Sequence, residues 1–585
     1  MSSKIYLYIL IILFISCVNA IEEGEEKSDD IIILHTNDVH CAIMETIGYD
    51  GLNLYKKELE KKYKHVLLVD AGDHIQGGAI GVISRGADLV NITNYLEYDV
   101  IALGNHEFDY TIEQLMNLSL MNEAGYTCSN FLYRKNHTVV FDKYKIVNVS
   151  NNISIGFIGV LTPQTLTKSY LHTLVDNDGE LTYDLLTNDE GQELYDYVQE
   201  VADELKYEKN VTYVIIVAHM GYGGDALEQY TTPALLEHIN GVDAIIDGHS
   251  HQVYNSTFPD KDGKEVYISQ TGTKLKNVGK LTIKSDGNIT SEIISEIPLF
   301  NDYEGDYLQV NRSGTFRYVD NETNTFLNQI MESHSKEFKE VIGYVDFDLD
   351  IVNDERGHIS RFEENTLCNL VADAFKHFGK TDIAIVNAGT IRTSLKKGNI
   401  TYNSILDILP FSANLMVFQI SGKDILDALE FSTSISPLPA SKFLQVSNMK
   451  FKVDESIAST VVIDEFENFV RVDGARRVFD VYIGNKKLEE TKQYSLAIDN
   501  FLADGGDGYT IFSKYENKND TMLIDNDVLK RYIMDILDGT VPDVYKTTQG
   551  RIIKEKKKVD PEPGSDSNFV KYFRVLPLLL LCLIF

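Results

Sequence analysis

Seven side chains able to ligate hard or borderline cations fall in four regions of the first half of this chain: Asp38 and His40, Asp73, Asn105, and His219 with His249 and His251. Carboxylate, amide and imidazole donors in this mixture suit zinc, manganese, iron or cobalt; calcium is disfavoured because four of the ligands are imidazoles. Seven ligands with one shared carboxylate fill two sites of four protein ligands each. Asp73 is the expected bridge, while Asp70, closer to its strand, reads as structural. Directly after Asn105 comes His106-Glu107-Phe108-Asp109. There His106 can aim an imidazole at a substrate oxygen, with Asp109 holding and charging it. The chemistry to expect is that of a two-cation centre, with zinc the first choice and manganese or cobalt as alternatives.

Something must bring these residues together. Each follows a short apolar run: Ile31–Leu34, Val66–Val69, Val100–Leu103, Val214–Ala218 and Ala244–Ile246. Such β-branched runs read as buried strands, and open α/β sheets place their ligands outside the carboxyl ends of the strands. Five strands would thus aim at one rim. On an extended segment, residues two apart point to the same side, so Asp38 and His40 would reach one ion. Helical stretches at Leu52–Lys62, Ile112–Met121 and Glu193–Glu208 alternate with the strands, which argues for a βαβ sandwich.

At 585 residues the chain is too long for one core. We expect a first domain over 29–300, a connecting helix over 321–338, a second domain over 342–554, and a linker and tail over 555–585. With 43% hydrophobic and 10% aromatic residues the chain is globular. A net charge of −34 argues against nucleic-acid binding. An acidic protein that handles anions must bring local positive charge, from metals or from a few arginines.

The ends read as addresses. Lys4, the apolar Ile5–Ile15 and the small residues of Val18–Ala20 have the layout of a signal peptide over 1–20. Gly564–Asn568 is small and polar, and Val575–Phe585 is apolar to the last residue, the layout of a GPI signal. The alternative, a tail-anchored helix, would have to span with a short run that contains Pro577. About a dozen Asn-x-Ser/Thr sequons, including Asn91, Asn117, Asn148, Asn255 and Asn399, become glycan sites on an extracellular protein. Cys41, Cys128 and Cys368 are too few for a disulfide framework, and one bridge, Cys41 with Cys128, is left open.

In the second half, Ile383–Val386 and Leu496–Ile498 read as strands ending in Asn387-Ala388-Gly389-Thr390-Ile391-Arg392 and in Asn500-Phe501-Leu502-Ala503-Asp504-Gly505-Gly506-Asp507. Phe411 and Phe501 can sandwich a nucleobase, Asp507 can accept from ribose hydroxyls, and Arg361 and Arg392 can fork onto phosphate. Taken alone, these residues are more readily explained as two core phenylalanines and two surface arginines.

Asp38-x-His40, Gly72-Asp73, Gly104-Asn105-His106-Glu107, His219 and Gly248-His249-Ser250-His251 resemble the blocks of the calcineurin-like metallophosphoesterases. Their order and spacing are most similar to the 5′-nucleotidase family, which includes ecto-5′-nucleotidases, secreted apyrases and bacterial UDP-sugar hydrolases. The resemblance covers about Ile31 to Ile553. It implies a four-layer αββα metallophosphoesterase sandwich followed by an α/β C-terminal nucleotide-binding domain. One metal would be held by Asp38, His40, Asp73 and His251, a position often Asn or Gln in the family, and a second by Asp73, Asn105, His219 and His249. Nucleotide contact would fall on Arg361, Asn387, Arg392, Phe411, Phe501 and Asp507. Departures are Ala388 and Thr390 where glycines are frequent, Asp504 where Asn is usual, and the missing cysteines of animal members.

Two cations about 3.5–4 Å apart clamp phosphate oxygens and activate water. His106 would stabilise phosphoryl charge or protonate the leaving group. The expected activity is hydrolysis of nucleoside 5′-monophosphates, AMP foremost, by a GPI-anchored enzyme on the outer face of the plasma membrane. The resemblance also implies a substrate seated between rotating domains and leaves room for a homodimer through the second one. The alternatives are apyrase-like hydrolysis of ATP and ADP, UDP-sugar hydrolysis, and a surface-binding protein on an inactive scaffold.

Overall fold

A computed structural model describes residues 27–557, except 170–173, 176–179, 188, 224–225, 298–305, 310–315, 354–355 and 465. The signal peptide expected over 1–20 and the tail that follows residue 557 lie outside the described residues. Among the described residues, no helix is long and apolar enough to cross a membrane.

All five apolar runs are strands, but they do not share a sheet. Ser28–Thr36, Tyr63–Asp70 and Val100–Ala102 are successive parallel neighbours in one six-stranded sheet. Tyr213–His219 and Ala244–Ile246 pair in parallel in a second six-stranded sheet. Alternation along each strand explains the stacking. Ile31, Ile33, Leu67 and Val69 of the first sheet share a core with Phe157, Ile215, Val217 and Ile246 of the second. Ile32 and Leu34 turn outward onto Leu52, Tyr55 and Leu59 of the helix Gly48–Lys62. On the far side, Val214, Ile216 and Ile245 pack on Leu194, Val198 and Val201 of the helix Gln192–Asp203. Both faces of both sheets are covered, so the strands read as unbroken apolar runs. The result is the four-layer αββα sandwich.

The single connecting helix expected over 321–338 is corrected to two, Asn321–Ser333 and Ser335–Phe338. They meet at His334, whose Nε2 lies 2.8 Å from Asp88 Oδ2. Phe326 stacks on Tyr95 at 4.1 Å between ring centroids, so this segment is fastened to the first sandwich.

The second half is built on a five-stranded sheet in which Ile383–Asn387 and Gln493–Asp499 are parallel neighbours. The helix Thr366–Gly379 covers one face through Leu370, Val371 and Phe375. The other face shares its core with Phe431 and Phe451, the latter from a four-stranded sheet. The bridge left open between Cys41 and Cys128 does not form: these two and Cys368 are free and buried. Cys41 Sγ donates to Ile75 O at 3.2 Å, and Cys128 Sγ to Asn130 Oδ1 at 3.7 Å.

Candidate active site

Four candidate ligands come from loops after strands of the first sheet and three from the ends of strands of the second, His219 being the last residue of its strand, and they meet where the two layers abut. One ligand atom from each of Asp38, His40, Asp73 and His251 lies within 4.8 Å of the others. His219 Nε2 is 3.1 Å from Asp73 Oδ2 and 3.9 Å from Asp38 Oδ1. His249 Nδ1 is 2.9 Å from Asn105 Oδ1, and the His219 and His249 rings are 5.3 Å apart.

Asp38 and His40 do not converge by sitting on an extended segment. Both adopt left-handed backbone, φ 50° and 46°, as do Asp73 at 59°, His249 at 79° and His251 at 55°. Such φ values are unfavourable for residues with a Cβ and gather at functional sites, where the surroundings over-determine them. Those surroundings are visible. Asn37 Nδ2 donates to Asp38 Oδ2 at 2.6 Å, and His249 N donates to the same carboxylate. Buried Glu107 takes the backbone N–H groups of Asp73 at 2.8 Å, His74 at 2.9 Å and Gly104 at 2.7 Å. A Cβ on Gly104 would lie 2.2 Å from Asp73 Oδ1, so the approach of these two loops requires glycine.

The donor set fits cations. His40 Nδ1 lies 2.9 Å from Gln76 O and His219 Nδ1 2.6 Å from Ala71 O, carbonyls that accept only from N–H. Each Nε2 is therefore left with its lone pair facing carboxylates and other imidazoles. His219 Nε2 is buried without a hydrogen bond, and His40 Nε2 lies 3.1 Å from His251 Nε2. A neutral ring with its Nε2 lone pair beside carboxylate oxygens is an arrangement that a cation would complete. Burial would push the His219 imidazole down, but Asp73 and Asp38 outweigh it and raise its pKa to about 10: these carboxylates call for positive charge at Nε2, which a proton or a cation in its place can supply. Asp70 is not among these donors: its carboxylate accepts from Thr36 Oγ1 and Gly72 N.

His106 stands beside this cluster with its Nδ1 2.6 Å from Asp109 Oδ2. Burial would lower its pKa; Asp109 and Asp73 overcome that and raise it. A cavity of about 520 Å³ runs from Asp73, Asn105, His106, His249 and His251 into the second half of the chain. All six residues expected to contact a nucleotide line it: Arg361, Asn387, Arg392, Phe411, Phe501 and Asp507. The Phe411 ring is 5.8 Å from His106, with the Arg392 guanidinium 5.6 Å from that ring. Burial, then the repulsion of Arg361, pulls the Arg392 pKa down to about 10, so it stays cationic.

The sequence matches the family models for calcineurin-like phosphoesterase over residues 31–253 and for the 5′-nucleotidase C-terminal domain over residues 341–514. The chain belongs to the 5′-nucleotidase family. Among curated relatives, the snake venom 5′-nucleotidase of Crotalus adamanteus is 26% identical, with 90% of this chain and 89% of that protein covered. The human 5′-nucleotidase is 25% identical, with 89% and 90% covered. The crystal structure of a 5′-nucleotidase precursor from Thermus thermophilus shares the fold: TM-score 0.71, 24% identity, covering 90% of this chain and 100% of that one. As a member of this family the chain is a phosphoesterase hydrolase.

Three features of this 5′-nucleotidase family member were not read from its sequence. Lys168 and His358 also line the cavity. Burial, reinforced by Arg361, presses the His358 pKa down to about 3, which keeps that ring neutral. And Asp507, expected to accept from a ribose, already accepts from Lys168, Ser441 and Asn387. A lone lysine or histidine in a polar stretch carries no spacing signal, which is why the first two escaped.

Proposed function

We propose that this protein is an extracellular, metal-dependent 5′-nucleotidase that hydrolyses nucleoside 5′-monophosphates, AMP foremost, to nucleoside and phosphate. The observation that carries the reading is one continuous cavity lined by residues of the carboxylate–imidazole cluster and, beyond His106, by the aromatic rings of Phe411 and Phe501. Asp38, His40, Asp73 and His251 would hold one divalent cation, and Asp73, Asn105, His219 and His249 a second, with zinc the first choice. Cations held there supply the positive charge that gathers phosphoryl oxygens and eases deprotonation of water.

The chain's own residues do the rest. Asp109 fixes His106 through Nδ1 and leaves Nε2 for the cavity. From there the ring stabilises negative charge on the phosphoryl group or gives its proton to the leaving oxygen. Arg361 and Arg392 supply fixed positive charge along the wall beyond. Phe411 and Phe501 offer ring faces for a base, and a Cβ on Gly506 would lie 2.5 Å from the Phe501 ring, so only glycine lets that ring settle there.

The test is phosphate release by the zinc- or manganese-loaded protein from AMP, ADP, ATP and a UDP-sugar at equal concentrations. Fastest release from AMP is the expected result. Preference for ADP over AMP would replace the reading with the apyrase-like one, for which the further cations Lys276 and Arg356 on the cavity wall speak. The signal-like leader and the GPI-like tail support a location on the outer face of the membrane. Release of the protein from intact cells by a phosphoinositide-cleaving lipase is the corresponding check.

A further inference from the structure

The short helix Thr165–Lys168 belongs to the first sandwich, yet its last residue ends on the second half of the chain. Lys168 Nζ lies 3.0 Å from Asp507 Oδ1 and 3.0 Å from Ser441 Oγ. The contact is nearly dry, with the two charged side chains 14% and 3% exposed. Ser441 Oγ donates to the same Asp507 oxygen at 3.0 Å, and Asn387 Nδ2 donates to the other at 2.7 Å. On the opposite side of the turn, Ser169 Oγ donates to the backbone carbonyl of Asn105 at 2.5 Å. Two successive residues therefore touch both ends of the cavity: a backbone group of the cation-side loop and the carboxylate beside Phe501.

We infer that Lys168 is a positioning residue that fixes Asp507 and thereby holds the nucleoside end of the cavity in register with the phosphoryl end. This rests on the nucleotidase reading above. Asp507 sits at left-handed backbone, φ 54°, between Gly506 and Gly508, a stretch with little stiffness of its own. Its buried charge is matched by a single cation among the described residues, and that cation comes from the other half of the molecule. Removing a charged partner leaves the buried carboxylate uncompensated, so it must turn, take up a proton or admit water. Each of these loosens the hold on the loop that carries Phe501. A nucleotide, which must engage both ends at once, depends on that register. A small aryl phosphate such as p-nitrophenyl phosphate engages the phosphoryl end alone.

The experiment compares the full-length, metal-loaded protein with its Lys168→Met and Lys168→Arg variants on AMP and on p-nitrophenyl phosphate. For Lys168→Met, kcat/KM for AMP relative to that for p-nitrophenyl phosphate falls roughly tenfold or more, the size of a lost charge-assisted hydrogen bond, and the change lies mainly in KM. Lys168→Arg, which keeps the charge, recovers most of that ratio. An unchanged ratio in Lys168→Met, or equal losses on both substrates, overturns the inference. A second arm places Lys168→Met in an Asp507→Asn background, where the further loss on AMP is under about twofold because the partner is already gone. Full additivity there overturns it as well. Wild-type protein that cleaves p-nitrophenyl phosphate but no nucleotide sinks the nucleotidase reading itself, a result that needs neither lysine variant.

Discussion

The two ends of the cavity are finished to different degrees. At the cluster end, imidazole nitrogens crowd carboxylates and one another: Nε2 against Nε2 at 3.1 Å, and Nε2 against carboxylate oxygen at 3.1 to 3.9 Å, with His219 Nε2 left without a hydrogen bond. Around Asp507 the polar groups are already matched: Asp507 is held by three donors, and Asn387 Oδ1 accepts from Thr390 Oγ1 at 2.5 Å. The first end is incomplete until charge is added, and its backbone carries the left-handed φ values that hold it so. The Asp507 end has its polar pairs made within the protein, and on the proposed reading it would recognise a base by shape and fixed charge.

The sharpest way to break this contrast is to remove the shared carboxylate. Asp73→Ala should cost roughly a thousandfold or more in kcat, and elemental analysis should find the variant short of metal. An active, fully loaded Asp73→Ala protein would mean that the two sites do not share this residue. His106→Ala should lower kcat about a hundredfold or more while metal content stays near two per chain. Metal loss with unchanged turnover of the occupied fraction would move His106 from catalysis to ligation. At the other end, Phe501→Ala should raise KM for AMP by about tenfold and leave inhibition by inorganic phosphate as it was.

The smallest effect belongs to the seam between the halves. Asp407 accepts from Ala79 N at 3.0 Å across it, and burial raises its pKa to about 6, against about 3.9 in the unfolded chain. The folded protein therefore keeps a proton that the unfolded chain releases. Stability from that proton is complete below pH 4, falls as pH rises toward 6, and changes no further above. Asp407→Asn keeps an acceptor for Ala79 and should flatten this slope, narrowing the difference in Tm between pH 4.5 and pH 7 by about 2–4 °C. An unaltered slope would take Asp407 out of the pH response.

Local signals were legible and relational ones were not. Asn105-His106-Glu107 and the runs that end at His219 and at Asp247 carry their meaning within a few residues, and the strands and the convergence of the ligands followed. The division of the strands between two sheets came from the family resemblance and not from the apolar runs, because a strand buried on both faces has the same composition in either. The turn geometry of Asp38 and His40 was hidden too, since left-handed backbone at non-glycine residues is imposed by neighbours such as Asn37 and Glu107 rather than encoded locally. Lys168 gains its meaning only from Asp507, 339 positions later.

One consequence follows from the ligands being divided between layers, with Asp38, His40, Asp73 and Asn105 on one and His219, His249 and His251 on the other. Neither layer alone offers the full set of donors, so on the proposed two-ion reading a chain in mid-folding would not capture both ions. Uptake should be a late step, slow to appear in refolding and limited by the joining of segments some two hundred positions apart. Once captured, the ions favour the assembled state by mass action. Chelation should then do more than stop turnover: it should let the two leaves of the sandwich part more readily, which amide exchange along Phe157, Ile215 and Val217 would register.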